Sequence, residues 1–249
     1  METQTFGLAH LWGQSDYIIR AVGAILLLMS ITSWYLILVR SLRQLRARRS
    51  DNAVDAFWAA PSLSAGLQRL SEQAPESPFE ELARQGAAAT DHLRQHGHRE
   101  TLGGTLDADE FVTRALRKSI AMSTSRLESG LTMLASIGST APFVGLFGTV
   151  WGIYHALVNI SASGLATLDK VAGPVGEALI MTAFGLFVAI PAVLAYNAFT
   201  RANRVELSEL DAFAHDLQAW FTTGARIAPL DERTESRKAG ARSPSPEAA

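Results

Sequence analysis

The chain has 249 residues, 48 % of them apolar, a formal net charge of -2 and no cysteine. The missing cysteine excludes disulfides and thiolate metal centres, and the basic residues lie beside apolar blocks instead of forming a stripe of their own, which argues against nucleic-acid binding. Average composition would suit a soluble domain, but the apolar residues are gathered into three blocks from which charge is excluded.

Residues 1–17 hold Glu2 and Asp16 with no Lys or Arg. The first apolar block, Ala21 to Val39, would measure about 28 Å as a helix, enough to cross the hydrocarbon core. A cleaved signal peptide has a basic leader and a shorter apolar stretch; the acidic leader and length here predict a retained transmembrane helix over 18–39. Trp34 and Tyr35 fall near its far end, where amphipathic rings favour the interface, and Arg40, Arg43, Arg46, Arg48 and Arg49 follow.

Residues 40–128 are too polar to span and too long for a simple linker. Apolar residues recur at helical spacing in Ala53 to Leu70, in Phe79 to Leu93, and at Phe111, Ala115, Leu116, Ile120 and Leu127, with breaks at Pro61, at Pro75 to Pro78 and across Gly97 to Gly104. This predicts a helical domain of modest core. His92, His96 and His98 invite a metal reading, but their spacing crosses a helix end and lacks accompanying carboxylates, so a solvated loop is the better account and no metal or cofactor is expected.

From Ser129 to Leu168 there is no Asp, Glu, Lys or Arg, and beyond Asp169 and Lys170 the only charge before Arg201 is Glu177. A run far longer than the roughly 20 residues of one crossing predicts a membrane hairpin: a second span over 129–158, a turn over 159–172 and a third span over 173–200. An amphipathic helix over 201–228 follows, with Val205, Leu207, Leu210, Phe213, Leu217 and Trp220 near one side. The remainder, 229–249, is rich in Arg, Ser, Pro, Glu and Ala, with no apolar side chain larger than alanine after Leu230, a composition of disorder. Arg114, Arg117, Lys118 and Arg126 precede the second span, and Arg201 and Arg204 follow the third. Positive charge stays cytoplasmic, so three crossings put the N-terminus outside and the C-terminus inside.

Within the hairpin, Gly138, Ala141, Gly145, Gly148 and Gly152 recur at steps of three or four, and Gly185, Ala189, Ala192 and Ala195 repeat the pattern. Such stripes let another helix backbone approach, within a subunit or between copies. Pro174 suits a helix start, whereas Pro142 and Pro191 each remove an internal hydrogen bond and predict bends. Glu177 is the costly residue: a charge at the membrane centre costs about 2.5 to 3.5 kcal/mol on insertion scales, so it faces a wet cavity or a partner, and burial raises a carboxylate's pKa. With a turn near 165–169, Thr149 and Thr182 lie at similar depth and Glu177 about five residues nearer the outside. These three could line a proton path. Equally, each threonine could satisfy its own helix carbonyl, and Glu177 could snorkel outward or pair with Lys170.

The segments APFVGLFGTVWGI, Ala141 to Ile153, and GEALIMTAFGLFVAIPAVLAYN, Gly176 to Asn197, resemble the paired signatures of the MotA, TolQ and ExbB proton-channel family, most closely its ExbB branch. The similarity covers Leu131 to Arg204. It implies an elongated all-helical membrane protein with three spans and long cytoplasmic helical extensions, assembling as a homo-oligomeric ring, taken to be a pentamer. The ring would surround the single-span helices of an ExbD-like partner in the bacterial inner membrane. By motif position Thr149, Glu177 and Thr182 would be the polar channel residues. The implied role is to use the proton motive force to energise TonB and transport of cargo such as siderophores across the outer membrane. A TolQ-like subunit acting with TolR and TolA, and a non-conducting scaffold for partner proteins, remain open. A solute transporter lacks the inverted repeat expected of it, and no nucleotide loop or nucleophile with a matched base suggests an enzyme.

Overall fold

The structure, a computed structural model, describes residues 17–47, 50–96, 108–163 and 168–226. The N-terminal leader, His98 and the tail over 229–249 lie outside the described residues. Among those described, all regular structure is helical: α1 Tyr17–Ala47, α2 Ser50–Trp58, α3 Leu63–Gln73, α4 Pro78–His96, α5 Ala108–Glu128, α6 Leu131–Ser163 and α7 Leu168–Thr223. The helices divide between two compact units, one containing α1 and Arg126–Arg204, the other Ala47–Ser125 and the residues from Val205 onward.

In the first unit, three helices are long and apolar enough to cross a membrane. They pack on one another through Val22 and Leu26 of α1, Leu134, Ile137 and Ala141 of α6, and Val188, Ala189 and Ala192 of α7. Large apolar side chains are left outside: Leu28 is 68 % exposed, Phe143 70 % and Phe187 67 %. A water-soluble unit does not leave so much apolar surface uncovered; lipid or neighbouring protein must meet it.

α5 and α6 are separated by a turn in which Gly130 has φ +81°, and the Gly130 carbonyl accepts the first amide of the new helix, from Leu134 at 3.3 Å. α6 continues through Pro142 and α7 through Pro191. The helices also run further than a turn over 159–172 suggests. α6 reaches Ser163 and α7 starts at Leu168, so Pro174 lies inside α7, where its missing amide N–H removes one bond of the ladder. The amphipathic stretch from Ala202 is part of α7, a single helix of 56 residues.

The second unit is built the other way round. Phe57, Leu70, Phe79, Leu82, Val112, Leu116, Leu210, Phe213 and Leu217 form a buried core of large side chains. Phe213 is its centre, with Phe57, Phe79 and Trp58 edge-on at centroid distances of 5.4, 5.6 and 5.7 Å, the preferred geometry of aromatic pairs. The helix starts are set by local chemistry. Ser62 caps α3 by accepting from the Ala65 amide at 3.3 Å, directly after the Pro61 break. Ser77 accepts from the Glu80 amide at 3.2 Å while Glu80 Oε2 reaches back to the Glu76 amide at 2.8 Å, a capping box shifted by one residue. Between them Glu76 takes φ +58°.

Candidate functional site

The α6–α7 seam is a contact of backbones. A Cβ on Gly145 would lie 2.6 Å from the Met181 carbonyl oxygen and 3.0 Å from Gly185 Cα, and one on Gly185 would lie 2.7 Å from the Ala141 oxygen. Neither obstacle is a side chain that could swing away. Gly152 faces Ala178 in the same manner, at 2.8 Å, and Gly138 faces Val193 at 2.5 Å, while Gly148 turns toward Val22 of α1 at 3.0 Å. The stripe therefore serves two helices, not one.

This closeness brings a pair of hydroxyls together in an apolar setting. Thr149 is buried at 5 % exposure. Its Oγ1 lies 3.2 Å from the Gly145 carbonyl of its own helix, 3.0 Å from the Ala178 carbonyl of α7, and 2.5 Å from Thr182 Oγ1. A threonine hydroxyl has one proton to donate and two lone pairs to accept with. If Thr149 donates to Ala178 or Gly145, Thr182 must donate to Thr149; if Thr149 donates to Thr182, both carbonyls lose a donor. The two threonines thus share a hydrogen-bond chain with more than one proton arrangement. Satisfying the helix carbonyl four residues back, the alternative for an isolated threonine, accounts for one of the three contacts of Thr149.

Glu177 belongs to α7, directly before the Ala178 whose carbonyl faces Thr149, and about 7.5 Å along the helix axis from Thr182. Its side chain lies outside the described residues. His92 packs against Phe111 with ring centroids 5.8 Å apart, and among the described residues no group of His, Cys, Asp or Glu is placed to hold a metal ion.

Two residues matter that sequence reading used only for topology or passed over. Arg40 of α1 donates through Nη1 to the Leu127 carbonyl at 2.8 Å and through Nη2 to the Ser129 carbonyl. Asn203 of α7 donates to the same Leu127 carbonyl at 2.5 Å. Arginine directly after a span and asparagine at the far end of another were the only signals.

A family model described as the MotA/TolQ/ExbB proton channel family matches residues 78–212. A biopolymer transport protein ExbB of Xanthomonas campestris pv. campestris is 48 % identical over 204 residues, covering 81 % of this chain and 81 % of the relative. An ExbB of Neisseria meningitidis serogroup A is 44 % identical over 203 residues, covering 81 % of this chain and 91 % of the relative. A Tol-Pal system protein TolQ of Pseudomonas aeruginosa is 36 % identical over 225 residues, 88 % of this chain and 95 % of the relative. With the family's model spanning more than half its length, and relatives 44 and 48 % identical over 81 % of the chain, this chain belongs to the MotA/TolQ/ExbB proton channel family.

Proposed function

We propose that this chain is the proton-conducting subunit of an ExbB-type inner-membrane motor, using the proton motive force to energise TonB-dependent transport across the outer membrane. The observation that carries the reading is the shared hydroxyl chain of Thr149 and Thr182 between α6 and α7, with Thr182 in the sequence block that also contains Glu177. Glu177 would supply the carboxyl that takes up and releases protons, and hydroxyls such as these relay protons without carrying net charge. The large exposed side chains of the three long helices support a ring of copies around the single spans of an ExbD-like partner, with lipid outside. The arginines that follow the apolar stretches of α1 and α7 support an N-terminus on the periplasmic side and a C-terminus in the cytoplasm.

The test is proton flux and TonB-dependent uptake with the assembled complex. Glu177→Ala is expected to abolish both while the complex still forms, and Thr149→Val to lower both at least tenfold. Full activity in Glu177→Ala would reject a proton role for that side chain and favour the scaffold reading. The TolQ relative matches more of the chain, at lower identity, so a TolQ-like role is the second reading. Rescue of a strain lacking TolQ function, with none of TonB-dependent uptake, would select it.

A further inference from the structure

The apolar stretch of α6 carries an ionisable side chain that the hydroxyl chain does not use. His155 is half-buried, its ring centroid 5.1 Å from that of Trp151 and 5.7 Å from that of Tyr154. Aromatic rings near the end of a span suit the interface, but an ionisable ring within a span marks a functional place whose partner has to be found. The register of the α6–α7 seam points to one. Gly138 meets Val193, Gly145 meets Gly185 and Gly152 meets Ala178, so the two helices run antiparallel. His155 is seven residues beyond Gly148, two turns along the same helix face. A Cβ on Gly148 would lie 3.2 Å from Met181 Cβ of α7 and 3.0 Å from Val22 of α1. Position 177 is one turn before Met181 and shares its face of α7. Depth follows from the Gly152–Ala178 contact at about 1.5 Å per residue: His155 stands about 4.5 Å toward the Ser163 end and position 177 about 1.5 Å, while Thr149 and Thr182 stand about 4.5 and 6 Å the other way.

We propose that His155 is the proton donor to Glu177, which makes His155, Glu177, Thr149 and Thr182 successive sites along one path. The step rests on the proton-motor reading and adds a loading site to it. The imidazole takes one proton from water beyond the Ser163 end of α6 and becomes imidazolium. It then passes that proton to the Glu177 carboxylate, leaving a neutral ring and a carboxylic acid, so protons and charge balance. A ring with two nitrogens suits the task, since one can receive while the other gives, and imidazole is the side chain that changes charge in the physiological range. The other titratable or charged groups near this level are Tyr154 beside it, Glu177 with Asp169 and Lys170 on α7, and Tyr17 and Arg20 on α1, where Ile19 lies 3.6 Å from the Gly152 site. Phenols and guanidinium groups hold their protons in that range, and Asp169 and Lys170 lie two turns or more beyond position 177. His155 is left as the group able to load and release.

Proton flux through the assembled complex, held at a fixed proton motive force and followed against the pH of the outer solution, tests the donor. Wild-type flux should rise as outer pH falls from about 8 to about 5, the range in which imidazoles load. His155→Phe keeps a ring against Trp151 and Tyr154, and His155→Gln keeps a polar group; each is expected to lower flux about tenfold at about pH 7 and to lose that rise. Both should assemble and unfold as wild type does, and should one fail to, the other decides. Wild-type flux in the variants, or reduced flux with the wild-type pH profile, overturns the proposal. The cysteine-free sequence allows a second arm that needs no activity. A short bifunctional thiol reagent should join His155→Cys to Glu177→Cys within one chain at least tenfold more than it joins His155→Cys to Leu179→Cys, an exposed position on the same turn. Equal yields overturn the pairing. A wild-type complex that moves no protons sinks the motor reading and the donor role with it, whereas normal wild-type flux with unaffected variants sinks the donor role alone.

Discussion

The two units solve the packing problem with opposite materials. In the second, Phe213 sits among Phe57, Phe79 and Trp58, and Leu70, Leu82, Leu210 and Leu217 are fully buried. In the first, Leu26, Leu134 and Ile137 are buried, but the α6–α7 seam itself is lined by glycine, alanine and hydroxyl, and many large side chains look outward. The hydrophobic effect explains the difference. In water, burying a large apolar side chain is the principal gain. In lipid no such gain exists, because the tails are as apolar as leucine, so helices associate by close backbone approach and polar contacts. α7 carries both patterns, with Gly185, Ala189 and Ala192 in one unit and Leu210, Phe213 and Leu217 in the other.

Substitutions can break that contrast, and the largest effect should come from the second unit. Phe213→Ala removes the shared partner of three aromatic rings and should cost that unit about 3 to 5 kcal/mol, read as a lowered unfolding midpoint. In the first unit the sensitive change is an added methyl. Gly145→Ala meets backbone at 2.6 and 3.0 Å and should destabilise the α6–α7 pair by about 1 to 3 kcal/mol, measured by thermal unfolding in detergent. The control is Gly173→Ala, where an added Cβ meets nothing within 4 Å and the better helix former should be neutral or mildly stabilising. Equal losses at both glycines would defeat the idea that backbone approach holds this seam. The smallest effect should follow Ser33→Ala. Ser33 is 1 % exposed and its hydroxyl has no hydrogen-bond partner, so its removal should leave stability within about 1 kcal/mol of wild type or above it.

Charge exclusion made the three long helices legible in sequence, because an ionised group in lipid is too costly to scatter at random. The spacing of Gly138, Ala141, Gly145 and Gly152 likewise announced a close helix contact. The depth match of Thr149 and Thr182 could be counted from the turn; their bond, and the third contact to the Ala178 carbonyl, could not. A hydrogen bond across two helices depends on their rotation about their own axes, which spacing along one chain does not fix. The ends of α6 and α7 were hidden for a different reason. Proline at position 174 reads as a start signal, yet a long helix tolerates one missing N–H early in its course. Arg40 shows the limit of pattern reading most plainly: flanking charge gave a topology, while the carbonyls it caps belong to residues 87 and 89 positions away.

Glu76 offers a practical outcome for anyone purifying this protein. A side-chain-bearing residue at φ +58° sits in a region that L residues enter at a cost of about 1 kcal/mol. Its amide, not its carboxylate, makes the bond to Glu80. Glycine there would keep that bond and relieve the turn, giving a sample whose extramembrane portion melts a few degrees later, by about the amount that 1 kcal/mol shifts a domain of this size, in differential scanning fluorimetry.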